Sequence, residues 1–269
     1  MRLILSHNST GDLRLSKRKT GALRKEQNRY MQNHKQQNLY VTETIDFNKE
    51  HYKRNRKPIE LLPQSVNQEK YILSLIDRDL DIVVVSGPAG TGKTYLAMLA
   101  AIKSLRNGDC DKIILTRPAV AVDDEKHGFL PGDLNSKMEP WVRPLLDVLR
   151  EYYSTKELEH MLNEQIIEIT PLAFCRGRNF KNAWVILDEA QNATPSQLKM
   201  LMTRIGEGSK IVVTGDIEQT DRRTADNGLL DLTARLKQNP VYSIGVCEFE
   251  LKDIRRHRII EHVLELYKN

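Results

Sequence analysis

Residues 87–94 read Gly87-Pro88-Ala89-Gly90-Thr91-Gly92-Lys93-Thr94, and this run restricts the fold more than any other in the chain. The spacing is G-x-x-x-x-G-K-[ST]. An apolar run, 82–86 (IVVVS), precedes it, and a helical pattern near 92–105 follows it. The glycines let the backbone curl so that several N–H groups face inward at the start of a helix, where the aligned peptide dipoles favour an anion. Lys93 is expected to reach the β- and γ-phosphates of a nucleoside triphosphate, and the Thr94 hydroxyl to hold Mg²⁺. A strand, a phosphate-binding turn and a helix in that order belong to an α/β fold.

The rest of the chain repeats the alternation. Further strands are expected at 112–116, 166–169, 184–188, 210–215 and 244–250. Helical patterns lie near 134–150, 155–163, 194–205, 226–237 and 257–268. Continuous apolar strands separated by helices predict a mostly parallel sheet covered by helices on both faces. The helix after Ala193 has a clear start: Thr194 as cap, Pro195 in the first turn and Gln197 closing a capping box. The strand at 184–188 runs into Asp188 and Glu189, two carboxylates at the carboxyl edge of the sheet, where such folds bind ligands. Asp188 is expected to hold Mg²⁺, mostly through water. Glu189, aimed the other way by strand alternation, is expected to polarise the attacking water. The segment Val213–Gln219 ends the next strand with polar groups placed to sense a γ-phosphate.

Charge divides the chain unevenly. Residues 1–57 hold 14 Lys or Arg against 5 Asp or Glu, a local +9, which leaves −4 for the remainder of a chain whose total is +5. The basic head has no sustained apolar period, so it is read as a flexible extension preceding a domain at 58–269, with nucleic acid as the natural anionic partner. Cys110, Cys175 and Cys247 make no Cys-x-x-Cys pair, which points to a reducing compartment and against a structural disulfide or zinc site. With no run near 18 apolar residues and no signal segment, a cytoplasmic location without membrane contact is expected.

From about residue 58 to 269 the sequence resembles the PhoH family of P-loop ATPases. The resemblance is carried by GPAGTGKTYLA (87–97), ILTRPAV (114–120), GFLPGDL (128–134), PLAFCRGR (171–178), ILDEAQN (186–192), TGDIEQTD (214–221) and DIRRH (253–257). It implies a single RecA-like domain akin to one lobe of superfamily 1 helicases, with ATP and Mg²⁺ as cofactors and RNA-related roles. Carried over position by position, it implies that Gln68 reads adenine and that Lys93 and Thr94 are the P-loop pair. It makes Asp188 and Glu189 the metal and water-activating carboxylates. Gln219 becomes the glutamine linking γ-phosphate to nucleic acid, and Arg256 an arginine for the transition state. Cys175, Asn179, Arg222-Arg223 and Arg255 depart from the family pattern.

Phosphoryl transfer also needs positive charge beside the γ-phosphate. Arg117, Arg176, Arg178, Arg255 and Arg256 are the candidates, with Arg256 favoured by its place after the last strand. Arg117, Arg176 and Arg178 are equally read as nucleic-acid contacts. One lobe leaves no second lobe to supply an arginine, so a homo-oligomeric ring, possibly a hexamer, is expected. Two functions fit: an ATPase coupled to RNA or single-stranded nucleic acid, helicase-like, or an ATP-dependent oligomeric switch with slow hydrolysis and no unwinding. A small-molecule kinase fits less well, because Glu189 beside Asp188 suits water activation.

Overall fold

The computed structural model describes residues 57–118, 143–220, 226–255 and 266. Among these residues six strands form one sheet: β1 (Ile82–Ser86), β2 (Lys112–Arg117), β3 (Ile167–Pro171), β4 (Ala183–Leu187), β5 (Lys210–Gly215) and β6 (Ile244–Glu248). Their order is β3-β2-β4-β5-β1-β6, and every pairing is parallel. All strands therefore end at one edge, and β1 lies between β5 and β6. This is the expected α/β arrangement, a parallel sheet with the phosphate-loop sequence following β1.

Two cores follow from the pleat, because successive side chains leave opposite faces. Val83, Val85, Ile113, Leu115, Trp184, Ile186 and Val212 face one core. Helices α1 (Val66–Ile76) and α2 (Lys93–Asn107) pack there with Tyr71, Leu75, Met98 and Ile102. So do Leu145 and Leu149 of the helical residues 143–150, and Leu158 of α3 (Thr155–Asn163). Ile82, Val84, Ile114, Val185, Leu187, Ile211 and Val213 face the other core. It is closed by α4 (Pro195–Met202) and α5 (Gly228–Gln238) through Leu198, Leu201, Leu229 and Leu232. Burial on both faces explains why the strands read as continuous apolar runs.

The helix starts follow local chemistry. Thr194 Oγ1 accepts from Gln197 N at 3.2 Å, and Gln197 Oε1 accepts from Thr194 N at 2.9 Å, the expected box with Pro195 in the first turn. α2 has no such side chain. It opens at Gly92, whose φ of 85° is left-handed, and so presents its first N–H groups to the loop.

Expected and observed elements agree at 82–86, 155–163 and 210–215 and differ elsewhere in informative ways. Helix α1 was not expected, although Ser65 caps it through Gln68 N at 3.2 Å. β4 starts and ends one residue earlier than expected, so Asp188 already lies beyond the strand. The sheet is parallel throughout rather than mostly so. Of the helix expected at 134–150, residues 143–150 are described and helical. The helix expected at 257–268 lies outside the described residues except for Leu266, and the extension expected at 1–57 lies outside them except for Lys57. Among the described residues no helix is long and apolar enough to cross a membrane.

Candidate functional site

The P-loop is laced to its neighbours on both sides. Gly87 N donates to Gly215 O at 3.2 Å, Phe249 N to Ser86 O at 2.8 Å, and Arg255 N to Gly90 O at 2.9 Å. Gly87 has φ 142°, and a Cβ there would lie 2.5 Å from Phe249 O, so the close approach of the chain after β6 requires glycine. Lys93 is 8% exposed. Its ammonium donates to Gly87 O at 2.6 Å and Pro88 O at 2.7 Å, which places the charge inside the loop. Thr91 Oγ1 donates to Pro88 O at 2.9 Å. Gln68 ties α1 to the same loop. Its Nε2 donates to Thr91 O at 3.0 Å while its Oε1 accepts from Gln64 N at 2.7 Å. Tyr71 supports the loop from beneath, donating to Lys93 O at 3.2 Å and meeting the Phe249 ring edge-on at 5.7 Å.

Opposite the loop, the ends of β2, β4 and β5 bring a polar network together. Asp188 N donates to Thr116 O at 3.0 Å, which fixes where the carboxylate leaves β4. Its Oδ1 accepts from Thr94 Oγ1 at 2.7 Å and Thr214 Oγ1 at 2.8 Å, and its Oδ2 accepts from Arg117 Nη2 at 3.0 Å. The same Nη2 lies 3.0 Å from Glu189 Oε1. Glu189 was expected to aim away from Asp188, and it does not. With the strand over at Leu187, Glu189 takes a left-handed backbone, φ 54°, and its carboxylate turns back beside its neighbour's. Glu189 Oε2 accepts from Gln191 Nε2 at 2.6 Å; that amide also donates to Gln219 O at 2.9 Å, and Gln191 Oε1 accepts from Asp216 N at 3.1 Å. Burial pushes the Asp216 carboxyl above its usual range, against the attraction of Lys93.

Thr94 and Asp188 present hard oxygen donors 2.7 Å apart, and a guanidinium cation already sits on the second Asp188 oxygen. Among the described residues no group of three or more His, Cys, Asp or Glu side chains could hold an ion by itself. A hydroxyl and one carboxylate, completed by water and substrate phosphates, suit Mg²⁺, which seldom takes an all-protein cage.

The two halves enclose a cleft of about 570 Å³, within the range of small-molecule sites. Gln68, Ala89, Gly90, Gly92, Lys93, Thr94, Asp188, Glu189 and Gln219 all line it. Gly87, Pro88 and Thr91 form the inner turn of the loop. Of the arginine candidates, Arg117 and Arg255 line the cleft. The Arg255 guanidinium is held by Gln64 O at 2.6 Å, with Lys252 O and Ile254 O also in reach. Arg178 forms a bidentate pair with Glu168 and lies over the Phe180 ring at 4.9 Å, and Arg176 is exposed; neither lines the cleft. Arg256 lies outside the described residues. Sequence reasoning assigned no role to Gln191, 1% exposed, and took Thr214, 0% exposed, as one of the polar groups of 213–219 rather than as a partner of Asp188. Buried polar residues one strand from a P-loop were the available signal.

The chain is similar to known proteins over most of its length. The family model described as PhoH-like protein matches residues 60–268. A PhoH-like protein of Bacillus subtilis is 43% identical over 220 residues, covering 81% of this chain and 67% of that protein. A PhoH-like protein of Synechocystis is 43% identical over 205 residues, covering 76% of this chain and 61% of that one. The chain thus spans about two thirds or less of the length of these relatives. Among solved structures, the Sulfolobus solfataricus SWI2/SNF2 ATPase core in complex with dsDNA aligns with a TM-score of 0.42 at 11% identity, covering 74% of this chain and 48% of that one.

Proposed function

The chain belongs to the PhoH-like protein family, and from that premise we propose that it binds ATP with Mg²⁺ and hydrolyses it in a cycle coupled to RNA or single-stranded nucleic acid. Convergence of Lys93, Thr94, Asp188, Glu189 and Gln219 on one cleft carries the reading. The inward N–H groups of the P-loop and the Lys93 ammonium hold the β- and γ-phosphates. Thr94 and Asp188 would hold the metal, which would supply charge neutralisation when bound. Glu189 orients a water and takes its proton. As the water oxygen bonds to the γ-phosphorus, the bond to the bridging oxygen breaks and ADP leaves with that electron pair. Gln191, which joins Glu189 to the backbone of Asp216 and Gln219, carries the state of the γ-phosphate from β4 to the segment after β5.

Nucleic-acid coupling is supported by the family resemblance and by the basic residues 1–57. Exposed Arg176 is a further contact of this kind. Such contacts weaken as salt rises. A homo-oligomer and a cytoplasmic location complete the proposal.

Phosphate release from Mg-ATP, with and without single-stranded RNA, tests it. Turnover stimulated by RNA and reduced about 10²–10⁴-fold in Glu189→Gln is the expected result. Turnover lost in the variant but indifferent to RNA would favour a nucleotide-driven assembly switch, and no turnover in the native chain would sink the proposal.

A further inference from the structure

We infer that Arg117 is the arginine that meets the γ-phosphate during hydrolysis, supplied within the same subunit. The inference rests on the ATP-hydrolysing reading of this cleft and adds a residue to it. Arg117 is the last residue of β2, and the Asp188 N to Thr116 O bond locks that strand end against the end of β4. Its side chain is 21% exposed, inside the cleft rather than on the outer surface.

One guanidinium nitrogen stands 3.0 Å from the carboxylate that would hold the metal and 3.0 Å from the carboxylate that would take the water's proton. The attacking water must lie about 3 Å from Glu189, and the γ-phosphorus about 3–3.5 Å from that water. The γ-phosphate oxygens therefore fall within reach of a side chain rooted at this strand end. Charge drives the transfer. A divalent cation held at Asp188 would repel the guanidinium, which is within reach of both carboxylates. The nearest group then gaining negative charge is the γ-phosphate. In the resulting step the water oxygen bonds to phosphorus, Glu189 receives the proton, the bond to the bridging oxygen breaks, and Arg117 donates to the transferring oxygens. Among the described residues no other arginine is so placed: Arg255 is engaged by carbonyls and Arg178 by Glu168, and Arg176 does not line the cleft. A neighbouring subunit is then not required for the chemistry.

Arg117→Ala and Arg117→Lys test this. In Arg117→Ala, turnover should fall about 10³-fold or more, with Mg-ATPγS binding kept within several-fold and part of the rate restored by lysine. Mixing Arg117→Ala with Glu189→Gln protein should leave turnover lost; recovery on mixing would show an arginine acting across subunits and overturn the inference. Mn²⁺ alone, followed by electron paramagnetic resonance, should bind about tenfold tighter or more to Arg117→Ala, because Asp188 and Glu189 lose their resident cation. Unchanged Mn²⁺ affinity, or turnover equal to or above the native rate, overturns it. A native chain that releases no phosphate sinks the parent reading, whereas native turnover matched by Arg117→Ala sinks Arg117 alone.

Discussion

The two ends of the parallel sheet handle buried charge differently. At the carboxyl end, Lys93, Asp188, Asp216 and Arg117 are drawn inward and held by a network that crosses β2, β4 and β5. At the amino end, Lys210 stands at the start of β5, donates to Asp77 O at 2.5 Å and lies 5.8 Å from the Trp184 ring centre. Burial pulls its pKa from 10.5 down to about 8, partly offset by Asp77 and Asp81. The first arrangement shares each charge among several partners and faces a cleft. The second caps a sheet end, with the ammonium on the Asp77 carbonyl. A charge shared among several partners, as those of Asp188 and Arg117 are, can be redistributed when an anion enters.

The contrast breaks most sharply at Lys93. Lys93→Ala removes the ammonium from the loop, and turnover should fall about 10²–10³-fold or more while thermal stability changes little. An unchanged rate would remove the P-loop from the chemistry. Next come two glycines, one at each end. A Cβ at Gly215 would stand 2.6 Å from Gln191 Oε1 and 2.7 Å from Leu229 Cδ2, whereas one at Gly208, φ +70°, would strike Asn182. Alanine at either should destabilise by about 1–3 kcal/mol in urea unfolding. Turnover per folded molecule should drop only for Gly215→Ala, because Gln191 is displaced from Glu189. Equal activity in the two variants would mean that the carboxyl-end network does not govern hydrolysis.

The smallest effect is at Lys210. Because its folded pKa is depressed, the unfolded chain binds more protons between pH 8 and 10.5, so its contribution to stability rises with pH through that window. Below about pH 8 the full penalty of burying the charge is present. Lys210→Met should flatten that rise in urea titrations run from pH 7 to 10; an undiminished rise would assign it to other groups.

What the sequence made legible was local. Four consecutive apolar residues, Ile82 to Val85, place β1, the spacing of glycines and lysine places the P-loop, and Thr194, Pro195 and Gln197 place the start of α4 by bonds within one turn. Helix α1 did carry a local signal, Ser65 with Gln68 three residues on, which sequence reasoning missed; in the structure Gln68 turns its amide to Gln64 and Thr91 instead of closing the box. The turn of Glu189, by contrast, was illegible. Alternation holds only while the strand continues, and the residue that receives Glu189 is Arg117, seventy-two positions earlier and adjacent only through the β2–β4 pairing. Gln191 reaches Asp216 and Gln219 across the β4–β5 pairing in the same manner. Strand order decides such contacts, and strand order is not written in any one segment.

The bond from Arg255 N to Gly90 O joins the phosphate loop to a residue far along the chain. Hydrogen–deuterium exchange at that single amide therefore reports on the loop. When phosphates draw the P-loop N–H groups inward, the Gly90 peptide is steadied, and the Arg255 proton should exchange more slowly in ATPγS than in buffer. A label placed at the chain's far end would then keep time for the nucleotide cycle without any change to the residues that carry it out.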